Sequence, residues 1–162
     1  MKTKLVKSIL APLLGACALV TLVAAERPPR GGTEGGRLQG TWDVTVRIIN
    51  CQTGAEITHF ASMLTYHAGG TLMESTSGLS QALKTPGESV WRHLTDNTYA
   101  IRFKFFTFNA QNVFTRWRIV NAEITLDQSG DSYEGSGTQE TYDANGLIGT
   151  GCVSPLGTRF EL

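Results

Sequence analysis

GTWDVTVRIINC, residues Gly40 to Cys51, alternates with a period of two: Trp42, Val44, Val46 and Ile48 fall on one face, Asp43, Thr45 and Arg47 on the other. That alternation, with its β-branched residues, reads as a half-buried β-strand. The strand ends on Cys51, and the next cysteine along the chain is Cys152, near the opposite end. A bridge between them sets the first and last strands of an antiparallel sheet side by side. A sheet joined in that way is a closed barrel.

The same period continues outward from this stretch. A second strand, about Ala61 to His67, turns through Ala68-Gly69-Gly70 into a third, Thr71 to Ser77. A looser segment with Gly78, Pro86 and Gly87, and room for one helical turn near Gly78 to Lys84, leads to a fourth strand, Val90 to His93. Asp96-Asn97 then turns into a fifth, Tyr99 to Phe108, and Asn109 to Asn112 into a sixth, Val113 to Asp127, long enough to need a bend. Gln128 to Asp131 leads to a seventh, Ser132 to Tyr142, and Asp143 to Gly146 to an eighth, Leu147 to Cys152. The eighth resumes as Gly157 to Glu161, because Pro155 cannot donate to a ladder and marks a bulge or break.

Short connections between successive strands imply a meander. The expected fold class is therefore all-β, an up-and-down antiparallel barrel of about eight strands, with room for side chains or one small ligand. Closure also removes the exposed edges that a β protein must otherwise protect. If Cys51 lies opposite Cys152, Trp42 falls near Glu161, one step from Arg159.

Ahead of the barrel, Lys2, Lys4 and Lys7 precede an apolar run from Ser8 to Ala25 that ends in Val23-Ala24-Ala25. This pattern reads as a secretory signal peptide over residues 1–25. A membrane anchor is the alternative, since the run approaches the roughly 20 residues needed to span a bilayer. Leu14-Gly15-Ala16-Cys17 resembles a bacterial lipobox, so lipid attachment at Cys17 is a second alternative. Residues 26–38, ERPPRGGTEGGRL, cannot bury enough apolar surface to order themselves and are expected to form a flexible leader before a barrel domain at 39–162.

Removing the three lysines from 14 basic residues leaves 11 against 14 acidic ones, a mildly acidic mature chain. That balance points to neither nucleic acid nor an anionic membrane surface as partner. Export makes oxidation of Cys51 and Cys152 the expected state, and localisation is read as secreted or periplasmic. A bridge enclosing a loop of about 100 residues contributes roughly 4 to 5 kcal/mol by chain entropy, as an upper guide.

Gly40-Thr41-Trp42 resembles the Gly-x-Trp signature that opens the first strand in lipocalins and their calycin relatives. The resemblance implies an arginine at the end of the barrel packed over that tryptophan, and Arg159 is the matching residue. Asn50-Cys51-Gln52-Thr53-Gly54 and Thr158-Arg159-Phe160 are also similar to uncharacterised exported bacterial proteins of this size. These likenesses imply a fold and leave the ligand open.

Two hairpins place polar residues near the interior. A three-residue turn between the second and third strands sets Tyr66 against Leu72 and Leu64 against Glu74, on the face that carries Phe60. Glu74 then sits inside, where an apolar setting raises a carboxyl pKa and equips it to bind a ligand or act as an acid or base. The alternative is a solvated position at the mouth. Closing the next long hairpin at Ala110-Gln111 pairs Phe105 with Arg116 and Phe103 with Arg118, on the core side. Inward arginines suit an anionic head group. The alternative is an outer basic stripe with cation–π contacts, and a one-residue change of turn would produce it.

His59, His67 and His93 have no zinc spacing, and no histidine follows His93 to hold a haem. No nucleophile elbow or phosphate loop is present, and Trp91 and Trp117 read as core or rim aromatics. The leading expectation is an exported binding protein for a small hydrophobic or amphipathic molecule, without cofactor or metal. Its site residues would be Glu74, Tyr66, Phe103, Phe105, Arg116 and Arg118. Two alternatives stand beside it. One is a barrel isomerase or cyclase using Glu74 as its acid, similar in plan to allene oxide cyclases; the other is a filled structural or interaction barrel.

Overall fold

Eight antiparallel strands, each hydrogen-bonded to the next and the last to the first, form a single closed sheet. The computed structural model describes residues 36–162; the expected signal peptide, Cys17 and the leader as far as residue 35 lie outside the described residues. The strands are β1 Gly40–Ile49, β2 Glu56–Tyr66, β3 Thr71–Thr76, β4 Gly87–Thr95, β5 Thr98–Phe108, β6 Phe114–Leu126, β7 Ser132–Asp143 and β8 Gly146–Arg159. A 3-10 turn, Gln81–Leu83, interrupts the long β3–β4 connection. No helix among the described residues is long and apolar enough to cross a membrane.

The seam forms as the cysteines imply. Cys51 and Cys152 are bonded, with Cα atoms 5.3 Å apart, which is compatible with an oxidising compartment. Their register differs by two residues from a directly opposed pair. Cys51 sits in the turn after β1, the bridge reaches diagonally, and the ladder sets Ile49 against Cys152. Trp42 is consequently opposite Arg159 itself.

Pro155 does not break β8. The β1 ladder runs through it, with Val46 as its partner, and the cost appears on the other side. There, no pairing joins Gly135 and Ser136 to Ser154 and Pro155. A proline's missing donor is tolerated where the ladder is already open. The same region is glycine-rich for a steric reason: a Cβ on Gly137 would lie 2.3 Å from the Asn121 carbonyl oxygen of β6. Such close approach lets the sheet coil tightly enough to close.

One end of the barrel is plugged. Trp42 is fully buried, and its indole Nε1 donates to the Leu38 carbonyl at 2.9 Å. The Arg159 guanidinium lies 4.3 Å from the Trp42 ring. It also donates to the carbonyls of Arg37, Gln39 and Gly130. Leu38, placed in the leader on composition, is fully buried in this plug, and Arg37 donates to Asn97 Oδ1 at 2.6 Å. Tyr99, Ile124, Leu126 and Tyr133 complete the packed layer.

Candidate functional site

Beyond that plug the interior is open. A cavity of about 520 Å³ runs from Tyr133, on the inner side of the packed layer, to the exposed Thr58 and His59 of β2 at the other end. Its wall is mainly apolar, built from inward residues such as Val44, Leu64, Ile101, Phe103, Val120 and Val153. Period-two alternation places them there: each is on the inner face of its strand, and its chain neighbours face out.

The β2–β3 hairpin has the register that its turn dictates, with Tyr66 opposite Leu72 and Leu64 opposite Glu74. Gly69 and Gly70 both adopt left-handed φ values, near 90°, and supply the tight turn. Glu74 therefore lies inside, 3% exposed, and not at a solvated mouth. It does not face the cavity as a lone acid. Lys84, from the β3–β4 connection, donates to Glu74 Oε2 at 2.8 Å, and both side chains are almost wholly buried. The Lys84 ammonium also lies 4.7 Å from the Phe105 ring centroid. Gly87 makes room for the pair, because a Cβ there would come within 2.7 Å of Glu74 Oε2.

Lys84 has no signature in the sequence. It reaches the interior through an isolated bridge to Thr107, on a connection whose length fixes no register. What could have pointed to it is Glu74 itself, since a buried carboxylate needs a cation.

The β5–β6 hairpin differs from the expected pairing by two residues. Phe105 faces Arg118 and Thr107 faces Arg116, because the turn is longer than a closure at Ala110-Gln111. Asn109 organises it: its amide donates to the Val113 carbonyl, and its Oδ1 accepts from the amides of Gln111 and Val113. An even shift preserves the face, so both arginines remain on the inner side and move toward the mouth. Arg118 lines the cavity, while Arg116 is exposed at the rim. Neither makes an ion pair among the described residues, and Arg118 Nε is buried without a hydrogen-bond partner. Burial, then the like charge of Arg116, lowers the Arg118 pKa. On the outer face it is Lys104 that makes cation–π contacts, with Phe106 and Trp117.

Of the remaining expected residues, Phe103 and Phe105 line the cavity, with ring centroids 6.3 Å apart. Tyr66 is buried behind the wall, beside Trp91. Tyr133 and Gln139 also line the cavity and were not singled out in the sequence. On their strand, β7, the inner face carries Gly135 and Gly137 between Tyr133 and Gln139, which hides the apolar period. Trp42 and Arg159 form the barrel-end pair that the Gly-x-Trp resemblance implies, and the closed eight-stranded order is consistent with a calycin-like fold. No protein-family model matches the chain, and no curated protein matches it.

Proposed function

We propose that this barrel binds a small amphipathic molecule, its apolar body in the cavity and an anionic group at Arg118. The observation that carries this is an apolar cavity of about 520 Å³ with, near its mouth, a guanidinium that has no ion-pair partner among the described residues. That volume is within the range of small-molecule sites, roughly 300 to 1,000 Å³. Two arginines on one inner face, without a carboxylate between them, favour an anionic guest over a neutral one. Phe103 and Phe105 would flank the body of the ligand, and the Glu74–Lys84 pair would form part of the wall. A filled structural barrel is disfavoured by the same cavity. A cyclase would need Glu74 free, and its carboxylate is held by Lys84.

The disulfide and the signal-like amino-terminal run together support a secreted or periplasmic setting for this binding. Displacement of a fluorescent fatty-acid analogue tests the proposal. Saturable binding is expected, with competition by long-chain carboxylates and little by the matching alcohols. Arg118→Ala should weaken carboxylate binding by roughly 10- to 100-fold. Equal binding of acid and alcohol would remove Arg118 from the account, and failure of every amphiphile to bind would remove the proposal.

A further inference from the structure

The open half of the barrel carries more positive charge than one carboxylate can meet. Among the described residues, Glu74 is the only acid that lines the cavity, and Lys84 neutralises it. Arg118 lines the same cavity, and Arg116 stands two residues nearer the rim on the same inner face of β6. Their Cα atoms are roughly 7 Å apart, the spacing of alternate residues on a strand. Burial first, and then the like charge of Arg116, lowers the Arg118 pKa, so the two guanidiniums are close enough to repel. Neither has an ion pair among the described residues.

The wall beside them leaves space. Arg118 faces Thr141 on β7, and Thr141 faces Gly149 on β8. One row further in, Val120 faces Gln139, and Gln139 faces Gly151. Val153, next along β8, lines the cavity, so period two sets both glycines on the inner face. A Cβ on either glycine would meet nothing within 4 Å beyond its chain neighbours. Gln139 lines the cavity, and its side-chain amide can donate there.

A carboxylate has two oxygens, and one guanidinium satisfies both with parallel hydrogen bonds. Bound at Arg118, it would leave the charge of Arg116 unmet. A phosphate monoester has three free oxygens and is close to doubly charged above its second pKa of about 6. It can bridge both guanidiniums and still accept from Gln139. Its tetrahedral bulk suits a wall from which two inward side chains are missing.

We propose that the anionic group of the ligand is a phosphate monoester on an apolar chain, held between Arg116 and Arg118 with Gln139 beside it. This rests on the binding function proposed above and narrows its ligand class from anionic amphiphiles in general to alkyl phosphates.

The test uses the disulfide-intact barrel at about pH 8, where the monoester is a dianion. Dodecyl phosphate, dodecyl methyl phosphate and dodecanoate are compared below their micellar concentrations by displacement titration. Dodecyl phosphate should bind roughly 5- to 20-fold more tightly than dodecanoate. The methyl ester keeps the tetrahedral phosphorus but loses one charge, and should forfeit most of that gain. Arg116→Gln should narrow the ratio of dodecyl phosphate to dodecanoate affinity to less than about threefold. Inorganic phosphate alone, in large excess, should not displace dodecyl phosphate, because the apolar chain supplies much of the affinity. Dodecanoate or the methyl ester bound as tightly as dodecyl phosphate, a ratio unchanged in Arg116→Gln, or displacement by inorganic phosphate would overturn this inference and leave the binding function standing. Were none of the three amphiphiles to bind, both would fall. The ligand comparison in the parent protein decides the matter even if the variant does not fold.

Discussion

Lys84 and Glu74 depend on one another because neither has another partner of opposite charge among the described residues. Their side chains are 0% and 4% exposed, so removing one leaves the other charge buried and uncompensated. Lys84→Met is therefore expected to destabilise the fold by about 3 to 5 kcal/mol. The double variant Glu74→Gln with Lys84→Met should be less unstable than Lys84→Met alone, since no charge is stranded. Denaturant unfolding of the single and double variants checks both statements, and a double variant as unstable as the sum of its parts would contradict them. Of this pair, the sequence discloses only Glu74. A glycine turn of fixed length sets its register, whereas Lys84 arrives from a ten-residue connection that can be threaded many ways. Trp42 and Arg159 were legible for a different reason: the Gly-x-Trp resemblance implies the pair, and the seam that the cysteines define brings the two ends of the chain together.

Turns decide how far such inference reaches from one strand to the next. In the β6–β7 turn, Asp127 Oδ1 accepts from the amides of Ser132, Gly130 and Asp131, and its carboxylate from the Ser129 hydroxyl. The Ser129 hydroxyl, with these backbone amides, outweighs desolvation and holds the Asp127 carboxyl at about 2, below its ordinary 3.8. A depressed folded-state pKa stabilises the fold above the ordinary value, and that contribution is lost as pH falls through the folded one. Asp127→Asn should therefore be less stable than the parent near neutrality. The gap should narrow as pH falls from above 3.8 to about 2, followed by urea midpoints across that window. The β5–β6 turn shows the limit of such reading. Side-chain parity came through intact, but the partner of Arg118 did not, because Asn109 builds a loop longer than the shortest hairpin that would serve. Gly137→Ala tests the tight coil at β6–β7: its methyl group would meet the Asn121 carbonyl oxygen, and a loss of about 1 to 3 kcal/mol is expected in thermal unfolding.

For the molecule as a whole, closure is secured at both ends of the seam, by the disulfide near one and by Trp42 with Arg159 at the other. Reduction should lower the unfolding free energy by up to about 4 to 5 kcal/mol, given the sequence separation of 101 residues. A reduced protein that unfolds at the same denaturant concentration would show that the ladder alone holds the seam. Strand number and closure were legible because turn residues and two cysteines encode them directly. The cavity was not, because an empty interior is a small difference between the space enclosed and the side chains that enter it, and β7 contributes glycines where other strands contribute bulk.

The plug of Trp42, Leu38 and Arg159 makes the barrel a bottle and not a pipe. Whatever occupies it leaves by the neck through which it came, so departure and arrival cannot overlap. Replacement of one guest by another should then proceed at a rate set by the outgoing molecule, unchanged however much of the newcomer is supplied.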